Sequence, residues 1–311
     1  MADRAGWRGQ GALAGYRLGW WLAQRLPERL VRAAFDRIAD VSVRRDGKGV
    51  RRLRSNLARV VPDTSPAELT ALTRAGMRSY LRYFCEAFRL PRLSTADINA
   101  RVETIGEHHF RDALATGRGV VVALPHLANW DLAGAWAAAN TDVGVLSVAE
   151  RLEPAALFDR FVAYRNDLGI DIVPLTGEDP FPQLVERVRA GRLVCLIAER
   201  DLSEHGLGVD FFGATARMPA GPAALALRTG AVLLAATLHY KGTGVGDPLV
   251  VTFTEPIPVT REAGRSATAA ATQRIADVFA AGIAAHPQDW HMLQRIWPDD
   301  PPAPGHDTTA P

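Results

Sequence analysis

Cysteine is scarce in this chain of 311 residues: there are two, Cys85 and Cys195. They stand far apart, in neither a CxxC nor a metal-like spacing, so nothing supports a disulfide and reduced thiols are expected. Long apolar runs are missing too. Stretches free of Asp, Glu, Lys and Arg, such as "TGAVLLAATLHY" at 229–240, fall well short of the roughly 20 residues a membrane span needs. The chain does not open with a basic start and an unbroken apolar run, so no secretory signal is expected. A protein that is soluble or held on one membrane face follows. There is no GxSxG elbow, no P-loop and no Rossmann glycine fingerprint, so an elbow serine and a nucleotide cradle are not expected. His205 and His239 are isolated, and no ligand pair at familiar spacing accompanies them; no metal or cofactor is expected.

Hydrophobic residues, by contrast, make up 48% of the chain, enough for a full core. The net charge of +2 hides an asymmetry: residues 1–101 hold 20 Lys and Arg against 9 Asp and Glu, and the remainder holds 16 against 25. A basic first third points to an anionic partner, nucleic acid or lipid headgroups. "GYRLGWWLAQRLPERLVRAAFDRIADV" places Leu18, Trp21, Leu22 and Leu26 on one helical face with Arg17 and Arg25 beside it, and Pro27 breaks the helix. Trp20, Trp21, Arg17 and Arg25 therefore form an expected membrane-associating set. The bland alternative is a helix packed on its own core. "SVRRDGKGVRRLRSNLARVVP" adds a basic cluster with few stacking groups, which makes nucleic acid the weaker partner.

The pattern changes near residue 102. "GVVVAL" (119–124), "VGVLSV" (143–148), "IDIVPL" (170–175), "RLVCLIA" (192–198) and "AVLLAATLHY" (231–240) alternate with helix-like segments. Apolar strands joined by helices predict an α/β fold, a twisted and mostly parallel sheet with helices on both faces. "YKGTGVGDPLVVTF" reads as a turn into one more strand, antiparallel to the last, and an amphipathic helix follows over about 266–285. The expected organisation is one compact unit: a basic helical region (1–101), an α/β core (102–298) and a disordered Pro-rich tail (299–311).

"VVALPHLANWD" (121–131) carries the chemistry. Pro125 keeps the chain extended, and Asn129 can cap a helix from Trp130. His126 then stands in the turn at the carboxyl end of a strand, where open α/β sheets bind ligands. Asp131, in the first helical turn, can reach back to one ring nitrogen and make His126 a general base. No enzyme nucleophile accompanies the pair, so the substrate's own hydroxyl is the expected nucleophile. A turn histidine and a helix-start aspartate held by backbone groups is the alternative. Glu199 ends its strand and should face the same crevice, binding sugar hydroxyls or pairing with Arg200 at the surface. Arg217 stands where a loop enters a helix and can contact a phosphate.

"PHLANWD" resembles the H-x-x-x-x-D block of glycerolipid acyltransferases. With "LIAERDLSEHGLGVDFFG", "ARMPAGPAALALRTGA" and "HPQDWHMLQRIW", the chain over roughly 10–298 is similar to the lipid A late acyltransferase superfamily, in its actinobacterial branch. That resemblance implies transfer of a fatty acyl group, palmitoyl foremost, from acyl-CoA to a mannose hydroxyl of phosphatidylinositol mannoside, without an acyl-enzyme. It implies His126 as base, Asp131 as its orienting partner, and Glu150 and Arg165 near the acceptor or the catalytic pair. Amides at the helix start after His126 would hold the oxyanion. A monomer on the cytosolic face of the plasma membrane is expected. Another glycolipid or lysophospholipid acceptor, a thioesterase and a non-catalytic lipid-binding protein stay open as rivals.

Overall fold

A computed structural model describes residues 19–150, 155–175, 179–201, 206–259 and 264–298. Arg17 and the tail lie outside the described residues. Residues 19–25 are helical, and the helix breaks before Pro27. Helices α1 (Glu28–Arg45), α2 (Lys48–Val60) and α3 (Pro66–Arg89) follow, then a short turn of helix at Leu90–Arg92 and α4 (Thr95–Ala100). Ser65 and Ser94 each open a helix with a reciprocal capping box, with Glu68 and Asp97. Ala39, Val50, Leu53, Leu57 and Met77 form a small core among α1, α2 and α3. Farther along α3, Cys85 and Phe88 belong to the main core, so α3 joins the basic helices to the rest.

Strand and helix alternate from there: β1 (Val102–Ile105), α5 (Glu107–Ala115), β2 (Val120–Leu124), α6 (Trp130–Ala139), β3 (Val145–Glu150), α7 (Ala155–Asp167), β4 (Ile170–Leu175), α8 (Phe181–Arg189) and β5 (Leu193–Ile197). A hairpin of β6 (Leu207–Phe211) and β7 (Ala214–Met218) interrupts the pattern. It is followed by α9 (Gly221–Thr229), β8 (Val232–Tyr240), β9 (Leu249–Phe253) and α10 (Gly264–Ala285). The main sheet has seven strands in the order β1-β9-β8-β2-β5-β3-β4. All neighbours run parallel except β8 and β9, the antiparallel pair expected from the turn before "PLVVTF". The α/β architecture is the one expected. The four-residue edge strand β1 and the β6–β7 hairpin were not anticipated.

The central strand β2 fixes the site. All five of its residues are buried, and each of its valine and leucine side chains contributes about 1.5–3 kcal/mol. Just before it, Gly119 has φ +78, and a Cβ there would stand 2.2 Å from the Val188 carbonyl oxygen, so only glycine lets α8 approach. Strands β2 and β5 pair in parallel from Val120↔Leu193 to Leu124↔Ile197. Two residues beyond that last pair the same register sets His126 opposite Glu199.

Candidate active site

His126 leaves β2 in a tight turn. The Leu127 amide donates to the Pro125 carbonyl at 2.7 Å, and Ala128 adopts a left-handed φ of +47. Asn129 caps α6 through the Leu132 amide at 2.9 Å, as expected from "HLANW". The helix therefore begins after the histidine, and its first amides, on Trp130 and Asp131, have no carbonyl one turn back to bind.

Register decides the partner of the imidazole. Glu199 is fully buried, and its Oε1 accepts the His126 backbone N–H and Nδ1–H, each at 2.7 Å. Burial pushes the Glu199 carboxyl up; the charge of His126 and the two hydrogen bonds outweigh it and leave the group below its ordinary value. An ionised acceptor requires a proton on Nδ1, so a neutral ring carries its lone pair on Nε2. No described residue hydrogen-bonds Nε2.

Asp131 was expected to hold one of the two ring nitrogens. It points elsewhere: its carboxylate accepts Arg165 Nε at 2.8 Å and the Tyr83 hydroxyl at 2.8 Å. Helix geometry is the cause, since Asp131 starts α6 pointing toward α7 and α3, while the strand end holding Glu199 lies directly across from His126. Arg165 is thus mostly buried against Asp131, not a solvated helix residue. Burial pulls the Arg165 guanidinium down and the Asp131 charge more than restores it, raising its pKa. The Tyr83 hydroxyl is held well above its usual range by burial and then by Asp131. Tyr83 also stacks on Trp130 at 4.1 Å, and Trp130 meets His126 edge-on at 5.1 Å.

His126, Trp130, Asp131, Glu150, Arg165 and Arg200 share one cavity of about 380 Å³. One part of its wall is apolar: Val145, Val148, Phe158, Phe161, Ile170 and Ile172. Gly134 sits in that wall, and a Cβ added there would come within 2.8 Å of Ile170 Cδ1. Glu150 ends β3 and pairs with Arg200 at 3.2 Å. Arg200 was the surface partner considered for Glu199; the structure gives it to Glu150. Two predicted site residues are absent from the lining of this cavity: Glu199, which is fully buried, and Arg217. Arg217 is exposed within β7, opposite Gly208, and the strand ends one residue later, so the expected loop into a helix is a hairpin.

Two of the expected membrane residues part company. Trp20 is buried, stacked on Phe88 at 4.9 Å and edge-on to Tyr164 at 5.6 Å. It is core, because one residue along a helix rotates a side chain by roughly 100° away from its neighbour. Trp21 is 52% exposed with Arg25 over its ring, and Leu26, Leu30 and Ile38 are exposed beyond it. Among the described residues no helix is long and apolar enough to cross a membrane. No three His, Cys, Asp or Glu side chains among them gather to hold a metal ion.

Residues 13–298 match the family described as bacterial lipid A biosynthesis acyltransferase. A phosphatidylinositol mannoside acyltransferase of Mycolicibacterium smegmatis is 44% identical over 292 residues, which is 93% of this chain and 92% of that protein. A protein of the same name from Mycobacterium tuberculosis is 43% identical over 286 residues, covering 91% of this chain and 87% of its own length.

Proposed function

The chain belongs to the bacterial lipid A biosynthesis acyltransferase family and is an O-acyltransferase, and we propose that it moves a fatty acyl group, palmitoyl foremost, from acyl-CoA to a mannose hydroxyl of phosphatidylinositol mannoside. One observation carries this reading. A histidine whose Nδ1 is committed to a buried carboxylate opens onto a cavity whose wall is apolar in part. A base and a slot for a fatty chain lie together.

In this reading His126 Nε2 takes the proton of the acceptor hydroxyl as its oxygen attacks the thioester carbonyl. The charge of Glu199 stabilises the imidazolium that forms, the part first expected of Asp131. The free amides at the start of α6 face the developing oxyanion. The C–S bond then breaks, and the imidazolium returns its proton to the departing thiolate. The Val145–Ile172 side of the cavity takes the acyl chain. Asp131, bound to Arg165 and Tyr83, keeps the opposite wall in place and leaves His126 to Glu199. Glu150 and Arg200, at the strand ends, are placed for the polar acceptor.

The exposed Trp21, Leu26, Leu30 and Ile38, set among arginines, would rest on an anionic membrane, here assigned to the cytosolic face of the plasma membrane. CoA release from palmitoyl-CoA, with and without phosphatidylinositol mannoside, tests the whole reading. Release that depends on the acceptor, with an acylated product by mass spectrometry, supports it. Equal release of free fatty acid in both arms would make the protein a thioesterase, and transfer only to a lysophospholipid would replace the acceptor.

A further inference from the structure

The turn that carries His126 is fastened by the backbone of a second segment, distant in sequence. After α10 the chain makes a short turn at Pro287–Asp289 and runs antiparallel to the His126 turn. The Asp289 carbonyl accepts the Ala128 amide at 2.8 Å, Leu127 and Trp290 form a bridge, and the His291 amide donates to the His126 carbonyl at 2.8 Å. Ala128 is a non-glycine residue at positive φ, a conformation that costs of order 1 kcal/mol and persists where its surroundings impose it. The strap supplies that constraint.

One side chain anchors the strap. Asp289 is buried at 2% exposure; its Oδ1 accepts the Ser79 hydroxyl at 2.6 Å and its Oδ2 accepts the Tyr240 amide at 2.9 Å. The anchor thus joins α3, the end of β8 and the His126 turn. Ser79 gives its single hydrogen to Asp289, so its oxygen accepts from His291 Nε2, 2.9 Å away. His291 is thereby a neutral Nε2–H imidazole. Burial, then His126, pushes its pKa down to about 3, consistent with that form.

We propose that Asp289 is a positioning residue: through Ser79, Tyr240 and the 289–291 strap it holds the His126 turn so that Nδ1 stays on Glu199 and Nε2 meets the acceptor hydroxyl. The inference rests on His126 being the base. Asp289→Asn tests it with little change of shape. Asparagine offers the Tyr240 amide one acceptor and turns an NH2 toward Ser79, whose hydrogen then points at His291 Nε2 and forces the ring proton onto Nδ1, a buried atom with no hydrogen-bond partner. A base displaced by about 1 Å loses on the order of 100-fold in rate.

The full chain with palmitoyl-CoA and phosphatidylinositol mannoside vesicles is assayed as wild type, Asp289→Asn, Ser79→Ala and His126→Ala. Expected for Asp289→Asn is a fall in kcat of at least 10-fold, with a smaller fall for Ser79→Ala, while KM for palmitoyl-CoA stays within 2-fold because the apolar wall is untouched. A merely structural Asp289 would lower the folded fraction and leave kcat per folded molecule, counted by thermal unfolding, at the wild-type value; that result overturns the proposal. If Asp289→Asn does not fold, Ser79→Ala at wild-type kcat overturns it. Full activity of His126→Ala would remove the base itself, whereas an inactive His126→Ala beside a fully active Asp289→Asn would refute the strap alone.

Discussion

Replacing Glu199 by glutamine removes one negative charge and keeps the carbonyl oxygen that His126 N–H and Nδ1–H both reach at 2.7 Å. The loss falls on the step that makes imidazolium. Two charges about 4 Å apart interact by about 4 kcal/mol at an effective dielectric near 20. The His126 side chain is 31% exposed, so solvent screening leaves roughly half to all of that figure. Two to four kcal/mol corresponds to a fall in kcat between about 30-fold and 1,000-fold. KM for the acyl donor should stay near its wild-type value, since Glu199 does not line the cavity. Initial rates of CoA release, with acceptor saturating, measure both constants. A kcat within 2-fold of wild type would refute the reasoning, because Glu199 would then be a backbone tie and not the partner of a base.

Asp131→Asn should behave differently: it leaves Arg165 mostly buried without its counter-charge, so thermal unfolding should show a loss of about 3–5 kcal/mol. Gly134→Leu pushes a side chain into the cavity at Ile170, so palmitoyl transfer should fall at least 10-fold more than transfer of an eight-carbon acyl group, read by competing the two donors. His291 is neutral in the fold down to pH about 3, whereas the unfolded chain takes up its proton near 6.5. The fold therefore keeps this contribution above pH 6.5 and loses it as pH falls toward 3, with about 3 kcal/mol gone by pH 4.5, and His291→Gln should flatten that slope in urea titrations. Trp21→Ala with Leu30→Ala should weaken binding to anionic vesicles in sedimentation, while the Trp20→Ala chain should lose stability instead.

What could be read from sequence followed how local the cause was. "GVVVAL" and "RLVCLIA" announced their strands because each is a continuous apolar run, and Asn129 announced its cap within three residues. The partner of His126 was not local. Asp131 is five residues away and was the obvious choice; Glu199 is 73 residues away, and only the pairing of β2 with β5 brings it across. Glu199 lies just past the end of β5, but it is fully buried and does not line the cavity, and its hydrogen bond to the ring needed the register. The hairpin left a sign that went unused: five-residue arms around "FG", with Phe212 and Gly213 both at positive φ, form the tight turn such arms need. Trp20 and Trp21 are chemically alike, and only the docking of their helix on Phe88 and Tyr164 separates core from surface. The Asp289 strap joins residues from 79 to 291, a span no short motif can carry.

The central claim is that His126 is the base for transfer to a glycolipid hydroxyl. Its most direct test is the rate at which His126→Ala, folded to the same melting temperature as wild type, transfers labelled palmitate from palmitoyl-CoA to phosphatidylinositol mannoside. The account predicts labelled acceptor with the wild type and a loss of at least 100-fold with the variant. Labelled acceptor forming at the wild-type rate without the imidazole would contradict it.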